Sequence, residues 1–283
     1  MIDEVKRNNA IDFSQIFITG LSAGAAMSVV MMADYPETFN AGAVFAGGAY
    51  KTATNLWTAL LTFYGWRIKS PDKWGDLIRD QNPNYKGQYP RMIIYQGNAD
   101  VVVNKRNGSQ LMKQWTNVHH LTTTPTERIK RFAKIKAIEK NIYRDTTGKA
   151  MVMYYRIKHL GHALLVDPGK CATQGGKHLA FSADKNYFSS YWTAVDFGLI
   201  HLREIQGKKT VSQNEQQITY SIFSSNTDSK FVWSFPKGCE AIENKGNNIL
   251  TVNWGDKSGN VDVTEYTADN CKQVYPTLYV QVK

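Results

Sequence analysis

One short stretch restricts the fold more than any other part of the chain. Residues 11–19, IDFSQIFIT, end in a β-branched apolar run that predicts a buried strand over residues 15–19. Gly20-Leu21-Ser22-Ala23-Gly24 breaks that run sharply. From Ala23 the sequence AGAAMSVVMMADY is rich in Ala and Met and predicts a helix, which Pro36 ends. A strand that turns at once into a helix is half of a βαβ unit, and such units assemble parallel sheets.

The pattern continues. AGAVFAGGA, over residues 41–49, reads as a short buried strand bounded by glycines. Residues 56–66 and 109–119 read as helices, and RMIIYQ, over residues 91–96, as another strand. Residues 138–145 and 150–157 flank TTGK and predict a hairpin, and residues 187–202 a last helix. The expectation is an α/β domain over residues 1–205, a mostly parallel sheet covered on both faces. Residues 206–217 are polar and read as a linker. Beyond them helix signals vanish. FVWSF, ILTVNW and VDVT are strand-like, and Leu250, Val252 and Trp254 share one face at period two. Residues 218–283 therefore predict a small all-β sandwich.

Two domains suit 283 residues. The net charge of +10 raises the question of an anionic partner. The one basic run, Arg128 to Lys136, comes without any nucleic-acid-binding motif and reads as a solvated face. No nucleic-acid partner is expected. No apolar run reaches the ~18 residues of a membrane span, and Met1 is followed by charged residues rather than a signal peptide. The three cysteines form no CxxC pair, so a zinc site is not expected. Cys239 and Cys271 are the pair available within the C-terminal segment, which leaves Cys171 over.

The chemistry concentrates in G-x-S-x-G between strand and helix, the context in which this pattern presents a nucleophile. Ser22 must sit on a strained turn, with Gly20 and Gly24 supplying conformational freedom. The helix that follows directs its first amides at the site, so the Ala23 N–H can donate to a developing oxyanion. A serine nucleophile needs a base oriented by an acid, in the chain order Ser, acid, His. Asp100 follows the strand MIIYQ, at the sheet edge where sites form. Among six histidines, His159 and His162 follow the strand at residues 151–157. His162 is preferred, because Gly161 and Ala163 leave its ring room.

GLSAGAAM, PRMIIYQGNADVVVN and HLGHALLVDPG together resemble the extracellular poly(3-hydroxybutyrate) depolymerase and feruloyl esterase group. The resemblance covers roughly residues 8–200. It implies an α/β-hydrolase fold and carboxylic-ester hydrolysis through an acyl-enzyme, without metal or cofactor, carried by Ser22, Asp100 and His162. The implied substrate is an ester polymer, such as polyhydroxybutyrate, or an acylated polysaccharide. Trp74 and Trp115 match family tryptophans, and line a substrate cleft or simply pack the core. Ala25 and His159-Leu160 depart from the family pattern. Members of the group also carry a long segment before the nucleophile strand, with the first strands, the signal peptide and a loop giving a second oxyanion amide. The implied domain is thus a partial α/β-hydrolase of a secreted protein, lacking its first strands and weakly active alone, with Cys171 deprived of its partner. FVWSFP, ILTVNWG and SGNVDV are similar to immunoglobulin-like PKD-type modules of secreted bacterial proteins, which act as spacers or polymer-adhesion units. The alternative reading is a catalytically impaired remnant that serves as a polymer-binding or scaffold protein.

Overall fold

A computed structural model describes residues 2–224, 228–243 and 247–283. It divides into two units. The first comprises residues 1–168 and 176–197, the second residues 169–175 and 198–283.

The first unit opens with α1 (Ile2–Asn8), β1 (Phe17–Leu21), α2 (Ala23–Asp34) and β2 (Ala41–Phe45). Then follow α3 (Leu56–Phe63), α4 (Pro71–Arg79), β3 (Arg91–Gly97), α5 (Arg106–Val118) and β4 (Glu127–Lys130). The hairpin strands β5 (Ile138–Arg144) and β6 (Ala150–Ile157) precede a short parallel pair, β7 (Leu164–Val166) and β8 (Ser182–Asp184), and α6 (Ser189–Phe197). The main sheet runs β1-β2-β3-β6-β5-β4. Its first four strands are parallel, and β5 and β4 are antiparallel.

Period-two alternation sorts this sheet onto two cores. Met92 and Ile94 of β3 and Val152 and Tyr154 of β6 meet Val29 and Met32 of α2, Trp74 and Ile78 of α4, and Leu111 and Trp115 of α5. On the other face lie Ile93, Tyr95, Met153 and Tyr155, with Leu165 and Tyr187. There Phe45, Tyr95 and Tyr155 stack on three neighbouring strands, with ring centroids 4.4 and 4.3 Å apart. Offset aromatic pairs of this kind add to plain burial. Beside the stack, Lys140 Nζ lies 2.6 Å from Asp196 Oδ1, and the Tyr155 hydroxyl donates to Asp196 Oδ2 at 2.6 Å. Burial and the Asp196 charge push the Tyr155 phenol well above its usual range, so it stays a neutral donor. The contact fastens α6 to the sheet.

The second unit is all β. Strands β9 (Thr210–Val211), β10 (Ile218–Ser221), β11 (Lys230–Ser234) and β12 (Glu240–Glu243) are followed by β13 (Ile249–Asn253), β14 (Gly259–Tyr266), β15 (Lys272–Val274) and β16 (Leu278–Val282). One sheet runs β10-β13-β12, the other β11-β14-β16-β9 with β15 also on β14. Leu250, Val252 and Trp254 all lie in the shared core with Phe231, Trp233 and Val263.

Four expectations are corrected. Strand β1 is not buried like β2: its residues are partly exposed, because it is an edge strand paired with β2 alone among the described residues. The last helix ends at Phe197 rather than 202, where Gly198 at φ +88° stops it. Residues 206–217 are not a free linker. Gln206 bridges to Ser221, and β9 pairs in parallel with β16, so this stretch is part of the sandwich. Finally, Cys171 is joined to Cys271, with Cα atoms 5.4 Å apart, and Cys239 is the free thiol. The loop 169–175 belongs to the second unit, which brings Cys171 to a partner that sequence position does not suggest.

Candidate active site

Strands β1, β2, β3 and β6 are parallel, so their C-terminal ends lie along one edge of the sheet. Ser22 follows β1, Asp100 follows β3 and His162 follows β6. In open α/β sheets this edge is where binding and catalytic groups gather.

Ser22 occupies φ 58° and ψ −118°, a conformation costing a non-glycine residue about 1–3 kcal/mol. The surroundings enforce it. The Ser22 N–H donates to Phe45 O at 2.9 Å, and its carbonyl accepts from the Ala26 N–H at 3.0 Å as α2 begins. Its side chain makes no capping hydrogen bond to the helix, so the hydroxyl is not diverted to that role. Of the two flanking glycines, only Gly20 is sterically required. A Cβ there would lie 2.2 Å from Gly24 O, whereas one on Gly24 would meet nothing. Ala23 is the first residue of α2. Amides of the first helical turn have no intrahelical acceptor and point toward the serine end.

Asp100 and His162, 62 residues apart in sequence, meet directly: Nδ1 of His162 donates to Asp100 Oδ2 at 2.9 Å. The Asp100 side chain is fully buried and that of His162 nearly so. The other oxygen, Oδ1, accepts the Val102 and Val103 amides at 2.9 and 2.8 Å. The carboxylate is thus fixed by backbone on one side and presents its second oxygen to the imidazole. A proton held on Nδ1 leaves Nε2 as the basic nitrogen.

Two contacts seat the histidine loop on the aspartate loop. The Ala99 N–H donates to Leu160 O at 3.1 Å, and the His159 N–H donates to the Asn98 side-chain oxygen at 2.7 Å. His159, at φ +56°, therefore contributes backbone to the junction. Sequence reasoning passed over Asn98 and Gly97. The signal was present, since Gly-Asn at a strand end marks a tight, side-chain-bonded turn. A Cβ on Gly97 would lie 2.1 Å from Leu160 O. Gly97→Ala should displace the His162 loop and lower kcat/KM on p-nitrophenyl acetate by about a hundredfold, as a shift of roughly 1 Å does in catalysis. An unchanged rate would show that this junction does not position the histidine.

Trp74 and Trp115 are not cleft residues. Both are fully buried in the core under α4 and α5, and the Trp74 indole N–H donates to the Gln110 side chain at 2.9 Å. Neither reaches a surface where substrate could touch it.

Known proteins share parts of this sequence and fold. A prolyl oligopeptidase family model matches residues 1–129, and a PKD-like domain model matches residues 199–280. The chain is 37% identical over 200 residues to poly(3-hydroxyalkanoate) depolymerase C of Paucimonas lemoignei, covering 71% of this chain and 47% of that protein. It is 41% identical over 123 residues to an acetylxylan esterase of Coprinopsis cinerea, covering 42% of this chain and 33% of that protein. It is 38% identical over 112 residues to feruloyl esterase B of Neurospora crassa, covering 38% of each. The chain thus spans half or less of the length of these relatives. Among solved structures, acetyl xylan esterase from Aspergillus awamori aligns with a TM-score of 0.53 at 26% identity, over 57% of this chain and 59% of that one. The first unit has an α/β-hydrolase-like fold whose homologues are carboxylic ester hydrolases, and the second matches a PKD-like domain.

Proposed function

We propose that the chain carries a serine carboxylic-ester hydrolase centre that works through an acyl-enzyme. The observation that carries this reading is the buried contact between His162 Nδ1 and Asp100 Oδ2, on the sheet edge that also bears the strained Ser22 turn. In the proposed reaction His162 Nε2 takes the Ser22 hydroxyl proton as the serine oxygen attacks the ester carbonyl. The Ala23 amide donates to the oxyanion, and Asp100 holds the imidazolium. His162 then gives its proton to the leaving alcohol, leaving the acyl group on Ser22. Water, deprotonated by the same histidine, releases the acid and restores the serine.

The proposed substrates are polyesters of the polyhydroxybutyrate kind or feruloyl and acetyl esters of polysaccharide, the classes named by the relatives. The Cys171–Cys271 disulfide supports an oxidising, extracytoplasmic setting, and the second unit is proposed as a spacer or polymer-attachment module. Among the described residues no helix is long and apolar enough to cross a membrane.

A fluorophosphonate probe tests the centre. Labelling that maps by peptide mass to Ser22 is expected. No labelling, in this chain or in a version extended upstream, favours the remnant reading, in which the protein only binds polymer.

A further inference from the structure

Gln96 is a polar residue in an apolar position. It is the last but one residue of β3, and alternation places it on the same face as Met92 and Ile94, which enter the core beneath α4 and α5. It is 3% exposed. Helix α5 lies directly on it: a Cβ added at Gly108 would come within 2.9 Å of the Gln96 Cβ and 3.1 Å of its Cγ. An amide buried in such a place costs stability unless its polar groups are bonded. An apolar side chain of the same length would avoid that cost.

The two ends of the amide fare differently. Nε2 donates toward Gly97 O and Val103 O, both at 3.3 Å, and toward Asp100 Oδ2 at 3.5 Å. Oε1 is buried and has no hydrogen-bond partner among the described residues. Exchanging the ends would bring no relief, because the carbonyl oxygen would then face two carbonyls and a carboxylate. The acceptors therefore set the orientation of the amide, and the unbonded oxygen is what that orientation leaves behind.

Those acceptors all belong to the loop of the candidate acid. Oδ2 is the Asp100 oxygen that meets His162 Nδ1, while Oδ1 takes the Val102 and Val103 amides. Gln96 thus adds a donor on the oxygen that faces the imidazole. Gly97 and Val103 lie on either side of Asp100, so the same amide fastens the loop before and after it. The last torsion of an aspartate is soft, and the hydrogen bonds at its two oxygens decide its setting.

We propose that Gln96 is a positioning residue, whose amide holds Asp100 Oδ2 toward the His162 ring and fastens the loop that carries the aspartate. Its effect on rate rests on the esterase reading, but the contact it maintains can be observed without any reaction.

The test compares the full chain with Gln96→Met, which keeps the Cβ and Cγ beneath α5 and removes the donors. The rate of fluorophosphonate labelling at Ser22 is expected to fall about tenfold, the loss typical of one hydrogen bond to a charged group. The second readout is the downfield proton resonance of His162 Nδ1–H, identified by its loss in His162→Ala. It should move or broaden in Gln96→Met, which a residue that merely fills space beneath α5 would not cause. Far-UV circular dichroism should show the fold intact, since the change also removes a buried unbonded oxygen. Gln96→Leu, equally without a donor, carries the same test if methionine does not fit. Either readout unchanged in a folded variant overturns the proposal, as does a parent chain that lacks the resonance. A parent that is not labelled overturns the esterase reading instead, and the resonance alone then decides whether Gln96 holds the pair.

Discussion

Ser22→Ala is expected to abolish fluorophosphonate labelling and to lower acylation by p-nitrophenyl acetate by about 10⁴ or more, the loss typical when a hydrolase triad loses its nucleophile. The fold should survive. Ser22 is a strained residue whose hydroxyl caps nothing, so replacing it by alanine removes chemistry and leaves the packing around α2 in place. Alanine keeps the Cβ that already sits at φ 58°, so the turn itself does not change. Pairing the substitution with His162→Ala sharpens the reading. If the two residues act as one unit, the double variant should be scarcely slower than either single one. Losses that simply multiply would mean that serine and histidine act in separate steps, and the proposed proton transfer would have to be given up.

Removing the disulfide should be the largest blow to stability. Cys171→Ser with Cys271→Ser opens a covalent loop with a sequence separation of 100 residues. The chain-entropy model gives about 4–5 kcal/mol for a loop of that length, and measured losses of native disulfides in small domains run at about 2–5 kcal/mol. The second unit should bear most of this, because both cysteines belong to it. Buried tryptophans lie in both units, Trp74 and Trp115 in the first and Trp233 and Trp254 in the second, so the near-ultraviolet signal reports both transitions. The two units need not unfold together, so the transitions are fitted separately. An unchanged urea midpoint for the transition of the second unit would show that loop 169–175 holds the sandwich without its covalent link. Non-reduced peptide mapping should join Cys171 to Cys271 and leave Cys239 open to alkylation.

How far the sequence could be read depended on whether a feature is local. The strand–turn–helix at Ser22 is local: the apolar run, the glycine break and the Ala-rich helix follow one another directly. Asp100 and His162 were reachable by one further rule, that sites gather after parallel strands, and their contact follows from β3 and β6 being neighbours in the sheet. Residue type left Trp74 and Trp115 open to a cleft or a core role, and core packing is the one observed. Their spacing told more: Trp74 pairs with Ile78, and Leu111, Trp115 and Val118 repeat at helical period, which marks an inward face. The cysteine pairing was not legible, since it depends on which unit a short loop packs with, and composition carries no trace of that. Strand β9 was missed because two residues are too few to show a period.

The order of strands in the main sheet has one more consequence. Asp100 and His162, the proposed acid and base, follow interior neighbours, each flanked by strands on both sides, while Ser22 follows a strand with a single neighbour among the described residues. Hydrogen bonds at such a margin open first when a protein breathes. Warming the molecule should therefore unsettle the Ser22 turn while the Asp100–His162 contact still holds station, so that fluorophosphonate labelling, if Ser22 is the nucleophile proposed, fades before the body of the domain melts.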